Sequence, residues 1–164
     1  MAKGIAGVLL AAIVAALALT GCGEGGAEEG ARLNVYASAP LHGGEAAAGK
    51  RVCAEARRAG GRAGAPGGFE LRVVCLDAAG PEGRWTLARV GANARRATED
   101  STAVAYLGEP VRAARRHSLP IVEAAGIAEL SGLPGRDAVA AVAAAIEESG
   151  SDDPRQAVLD AVEG

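Results

Sequence analysis

The chain has 164 residues and a formal charge of −3, with 17 Lys and Arg against 20 Asp and Glu, so it lacks the basic excess of a nucleic-acid surface and no nucleic-acid partner is expected. Its 49% hydrophobic content holds one Trp, one Phe and two Tyr; most of the rest is small alanine, which predicts a thin core of modest stability. The length allows one domain with one core and excludes two large lobes.

A lone Lys3 precedes an uncharged apolar run from Ile5 to Leu19, which exits through Thr20-Gly21 to Cys22. A cationic start, a short apolar core and small residues at its exit make a secretory signal. The run falls short of the roughly 20 residues that a spanning helix needs. Ending on Leu19-Thr20-Gly21-Cys22, it also resembles a bacterial lipoprotein leader. That resemblance implies cleavage after residue 21 and a diacylglyceryl group on the Cys22 thiol. The mature protein would then be exported and lipid-anchored to the outer face of the bacterial cytoplasmic membrane, or lie in the periplasm. Residues 22–31, rich in Gly and Glu, read as a flexible tether. Residues 32–164 read as the folded part.

Leu33-Asn34-Val35-Tyr36-Ala37 reads as a first strand. Glu45 to Ala59 reads as a helix with Val52, Ala56 and Ala59 on one stripe, ended by Gly60-Gly61. Phe69 to Leu76 is a strand whose second half is continuously apolar, as in buried parallel sheets. Thr86 reads as the N-cap of the next helix, with Trp85 and Val90 placed to staple across it and Leu87, Val90, Ala94 and Ala97 on the apolar face. Thr102 to Leu107 is a third strand. Val111 to Ala125 is helical, with Pro120 expected to interrupt it. Ile127 to Leu130 is a short fourth strand. Gly132-Leu133-Pro134-Gly135 breaks the pattern. A helix follows from Arg136 to Ser149 with Val139, Val142 and Ile146 in line. A last helix starts at Asp153-Pro154, capped by Asp153 with Gln156 reaching back, and Val158 and Val162 as its buried face. The alternation predicts an α/β fold: a single doubly wound, mostly parallel sheet of about four strands with flanking helices and right-handed crossovers.

Few motifs carry chemistry. His42 and His117 are far apart, and no Cys-x-x-Cys or His-x-x-x-His spacing is present, so neither a metal ion nor another cofactor is expected. The nucleophile-elbow and P-loop patterns are absent, and no base-and-nucleophile pair stands out, so there is no case for an enzyme. Gly60-Gly61-Arg62-Ala63-Gly64 ends a helix instead of joining a strand to one, which does not fit a dinucleotide loop. Asp77 closes a predicted strand, where α/β ligands bind, or it simply starts a solvated loop. With Cys22 lipidated, Cys53 and Cys75 remain as an even pair in an oxidising compartment. They are either a disulfide, which would contribute roughly 3 kcal/mol, or two small buried hydrophobes.

Several strings together resemble the substrate-binding lipoproteins of branched-chain amino acid ABC transporters, the leucine/isoleucine/valine-binding family with its type I periplasmic-binding fold. They are Tyr36-Ala37-Ser38-Ala39-Pro40-Leu41-His42-Gly43, the helix ending Ala59-Gly60-Gly61-Arg62-Ala63-Gly64, Val73-Val74-Cys75-Leu76-Asp77, Val90-Gly91-Ala92-Asn93-Ala94-Arg95-Arg96-Ala97 after Trp85, and Ala103-Val104-Ala105-Tyr106-Leu107-Gly108-Glu109, then Pro120-Ile121 and Glu123-Ala124-Ala125-Gly126-Ile127. Residues 32–131 would be the first segment of the amino-terminal lobe. Residues 136–164, with Asp137-Ala138-Val139 and Gly150-Ser151-Asp152-Asp153-Pro154, resemble the late helices that return to that lobe. The second lobe, which the family places between them, is missing.

The resemblance implies an extracytoplasmic solute-binding protein with an amino acid or similar ligand and an ABC permease as partners, and ligand residues Ser38, Leu41, Asp77, Gly108, Glu109, Arg112 and Ser131. Two of these positions depart from the family. Arg112 stands where a serine hydroxyl is common, and either meets a carboxylate or is a solvated helix residue. Gly132 to Gly135 follow Ser131 in place of Ser-Pro and small residues. A single lobe also leaves the ligand on an open shelf, so binding is expected to be weak. The alternatives are a surface lipoprotein that associates through the face the second lobe would have covered, or a remnant without function.

Overall fold

In the computed structural model, which describes residues 31–163, four parallel strands form one sheet in the order β2-β1-β3-β4. The leader, Cys22 and nearly all of the tether lie outside the described residues. Strand β1 (Arg32–Ala39) pairs in unbroken register with β2 (Glu70–Asp77), Arg32 opposite Glu70 and Ala39 opposite Asp77. On its other side it pairs with β3 (Ala103–Leu107), after a shift between Asn34 and Val35. Strand β4 is Ala128–Glu129 alone, shorter than the predicted Ile127–Leu130, and lies beside Ala105 and Tyr106.

Side chains of successive strand residues point to opposite faces, and each face is covered by helices. Leu33, Val35 and Ala37 face a core shared with Leu71 and Val73 and closed by α1 (Ala46–Ala63), α4 (Gly135–Ser149) and α5 (Pro154–Glu163). Tyr36 and Tyr106 face the other way, toward Ala94 and Ala97 of α2 (Leu87–Thr98) and Val122 of α3 (Arg112–Glu123). The helices after residue 135 therefore complete the first core. Val139, Val142, Ile146 and Val158 are at most 1% exposed and join the same cluster as Leu33 and Val35. Burying each of these side chains contributes roughly 2 kcal/mol. Cys53 of α1 is disulfide-bonded to Cys75 of β2, with their Cα atoms 6.0 Å apart.

The local signals hold where they are self-contained. The Thr86 hydroxyl accepts the Arg89 amide at 3.3 Å and starts α2, and Asp153 accepts the Gln156 amide at 3.0 Å and starts α5. Tertiary packing overrides them elsewhere. Helix α1 does not stop at Gly60-Gly61; Gly60 lies against β2, where an added Cβ would sit 3.4 Å from the Leu71 carbonyl, and the helix ends at Gly64 with φ 69°. Gly60 thus serves close approach to the sheet, not termination. Helix α3 runs through Pro120 without a break. Pro120 and Arg116 are both on the exposed side, so the carbonyl that Pro120 leaves unpaired turns to solvent. Leu87 and Val162, expected in the core, are 51% and 45% exposed, at the ends of helices whose central turns make the contact. The Gln156 side chain bonds forward to Asp160 at 2.7 Å instead of back to its cap.

At the amino-terminal ends of the strands Asp100 ties β1 to the turn before β3. It accepts Asn34 Nδ2 at 2.8 Å, the Tyr36 hydroxyl at 2.7 Å, and the Thr102 amide and hydroxyl at 2.8 and 2.7 Å. Partial burial works against the charged form, but these donors outweigh it and hold the Asp100 carboxyl at about 2.

Candidate ligand-binding site

The order β2-β1-β3-β4 reverses direction between β1 and β3, and at such a switch point the loops leaving the two strands part to opposite faces and open a crevice. A cavity of about 190 Å³ lies there. Ser38, Ala39 and Pro40 line it from β1, Gly108, Glu109 and Pro110 from β3, and Glu45, Gly49 and Val52 from the start of α1; Trp85 and Val111 complete the wall.

Beneath it is a buried polar network. Glu109 is 1% exposed. Its Oε1 accepts the Ser38 hydroxyl in a short hydrogen bond and the Tyr106 hydroxyl at 3.3 Å, while Oε2 accepts the Ser118 hydroxyl at 3.2 Å. Asn93 Nδ2 donates to Ser38 Oγ at 2.9 Å. Burial, and then the nearby charge of Glu109, pushes the Tyr106 phenol well above its ordinary range, so Tyr106 stays a donor. A second carboxylate, Glu129, stands beyond Gly108. Burial raises it above the usual carboxylate value although Arg115 lies 4.0 Å away. An added Cβ at Gly108 would come within 2.5 Å of both Glu129 Oε1 and Ser131 Oγ, two buried atoms that have no hydrogen-bond partner among the described residues.

One side of the cavity is fixed by a clamp between loops. Asp77 Oδ1 accepts the amides of Leu41 and Ala79 at 2.8 and 2.9 Å, and Oδ2 meets His42 Nδ1 at 2.5 Å. His42 Nε2 lies 2.9 Å from the Gly80 carbonyl. Both ring nitrogens thus face acceptors, the arrangement an imidazolium satisfies. The bond to Asp77, then that to Gly80, raises His42, while the two amides and His42 hold Asp77 low against its partial burial. The loops touch backbone to backbone where Gly43 and Gly83, at φ 75° and 71°, meet: a Cβ on Gly43 would overlap the Gly83 backbone. The clamp therefore positions Pro40 and Glu45 on one loop against Trp85 on the other.

Of the residues expected at the site, Ser38, Gly108 and Glu109 line the cavity together, and Ser131 lies behind Gly108. Leu41 and Asp77 are bound to each other at its side, through the Leu41 backbone. Arg112 opens α3, is exposed and is not part of the lining. Sequence reasoning missed Asn93, Ser118 and Glu129. Asn93 and Ser118 are polar residues on the buried stripes of their helices, next to Ala94 and between Ala114 and Val122, and that placement was a usable signal. A larger hollow of about 380 Å³ lies at the opposite ends of the strands. Its two cations are spent, Arg155 on backbone carbonyls, with the Ser101 oxygen at 2.9 Å, and Arg32 on Glu70 at 3.1 Å.

Sheet order, three-layer packing and a crevice at the switch point define a doubly wound α/β lobe, and they fit one lobe of a periplasmic-binding fold. A structural match to the leucine binding protein LivK from Thermotoga maritima MSB8 agrees: TM-score 0.52, 23% identity, covering 60% of this chain and 27% of that one. At that identity the likeness shows the fold, and the chain spans little more than a quarter of that protein's length. No protein-family model and no curated protein sequence matches the chain.

Proposed function

We propose that this is an extracytoplasmic solute-binding lipoprotein, anchored through Cys22 and reduced to one lobe, that holds an amino acid or similar small molecule weakly and presents it to an ABC permease. The observation that carries the reading is the switch-point cavity with the Ser38–Glu109–Asn93 network at its floor. Polar groups buried at cost beside a hollow are what a ligand site needs, and a stability role alone does not require the hollow. The likeness to a leucine binding protein supports the choice of ligand class, and the leader sequence supports export. A lone lobe leaves the ligand open to water, so dissociation constants in the millimolar range are expected. Calorimetry with leucine, isoleucine, valine and their amides tests this. Heat that saturates at millimolar ligand supports it, and silence throughout removes the transport role.

One observation favours a second reading, an interaction module. Leu133 and Val162, 50% and 45% exposed, flank an apolar hollow of about 330 Å³ between α4, α5 and the end of β4. A dimer in sedimentation that is lost in Val162→Asp supports self-association there; a monomer at every concentration rules it out.

A further inference from the structure

The cavity's charge says more than its position. Its lining includes two acidic residues, Glu109, whose buried carboxylate accepts the Ser38 hydroxyl, and Glu45 at the rim, and among the described residues no lysine, arginine or histidine. Glu109 is almost wholly buried, yet its partners are all neutral hydroxyls, and among the described residues it forms no ion pair. Glu129, a third acidic group, lies behind Gly108 with Arg115 at 4.0 Å; burial first, and then the charge of Glu109, raises it. A carboxylate in low dielectric with no cation beside it is poorly compensated, and a positive group brought into the adjoining hollow gains more than it would at the surface. Trp85 supplies an aromatic wall of the kind that attracts ammonium groups. Pro40, Val52 and Val111 supply an apolar remainder.

We propose that the cavity selects an organic ammonium on a short branched apolar body, and discriminates against ligands carrying a free carboxylate. This rests on the reading of the cavity as a ligand site. A zwitterion would bring its carboxylate beside Glu109 and Glu45 with no side-chain cation among the described residues to receive it, and desolvating that group without such a partner takes back part of what the ammonium and apolar body gain. An amine or an amino-acid amide presents the same ammonium and apolar body without that carboxylate.

The test is titration calorimetry of the full chain with isoamylamine, leucinamide, leucine and 4-methylpentanoate. Isoamylamine and leucinamide are expected to bind about tenfold more tightly than leucine, the difference that one charge-assisted contact or one cation–π contact makes. The acid should give no heat. Glu45→Gln, on the exposed rim where folding does not depend on it, should weaken the amines severalfold. Glu109→Gln should weaken them further, provided circular dichroism shows it folded; if it does not fold, Trp85→Leu takes its place with the same expected loss. Leucine equal to or tighter than isoamylamine overturns the ammonium preference and leaves the solute-binding reading standing. Silence with all four overturns both.

Discussion

Asp100 and Tyr36 form a pair whose behaviour separates burial from charge. Burial comes first in lifting the Tyr36 phenol to about 12, and the bond to Asp100 and its charge come next. In Asp100→Ala the Tyr36 value should fall but stay above 10, since burial remains. Ultraviolet titration reads this cleanly, because the other tyrosine, Tyr106, is pushed higher still. The same substitution should cost about 2 kcal/mol in denaturant unfolding, through loss of charge-assisted bonds to Asn34, Tyr36 and Thr102. The sign with pH follows from a folded value of about 2 against an ordinary 3.8. Asp100 stabilises the fold above the higher value and loses that contribution as pH falls toward the lower one. Melts from neutral pH into acid should therefore fall more steeply for the native chain than for Asp100→Ala.

Helix α1 contains glycines with opposite roles. A Cβ on Gly49 would lie 1.9 Å from the Pro40 carbonyl, and the backbone there also forms the cavity wall. Gly49→Ala should destabilise by about 3 kcal/mol and abolish ligand heat together. Among the described residues nothing lies within 4 Å of a Cβ added at Gly61, so Gly61→Ala should stabilise by about 0.5–1 kcal/mol, read from the denaturation midpoint. Serine at both Cys53 and Cys75 should cost about 3 kcal/mol, and reductant should have no further effect on that variant. These elements also show what was legible beforehand. Caps such as Thr86 and Asp153 are short-range chemistry and could be read directly. The strands that lead to Ser38 and Gly108 followed from the alternation of elements, while Ser38, Gly108 and Glu109 as site residues followed only from the family resemblance of their strings. The extension of α1 past Gly60 could not be read, because its cause is the approach of β2, a neighbour distant in sequence until the chain folds. The exposure of Val162 has the same kind of origin, as does the seat of Glu129, which depends on how β4 lies beside β3.

The whole lobe depends on helices that arrive late in the chain. Ending the chain at Gly135 removes Val139, Val142, Ile146 and Val158 from the core that also contains Leu33 and Val35. Such a truncation should lose near-ultraviolet dichroism and cooperative melting, with secondary structure partly retained. Ile146→Ala alone should cost about 2–5 kcal/mol.

Between Glu129 of β4 and the first turn of α4 the backbone needs only residues 130–134 to cross the edge of the sheet, with Gly132 at φ 90° and open space around it. Closing a loop costs little more when it is lengthened, about 0.6 kcal/mol per doubling. That short crossing is therefore a graft point. A foreign domain spliced there would hang from the rim beside the cavity while both helical layers stay seated, and its opening and closing over Glu109 could be read as a signal.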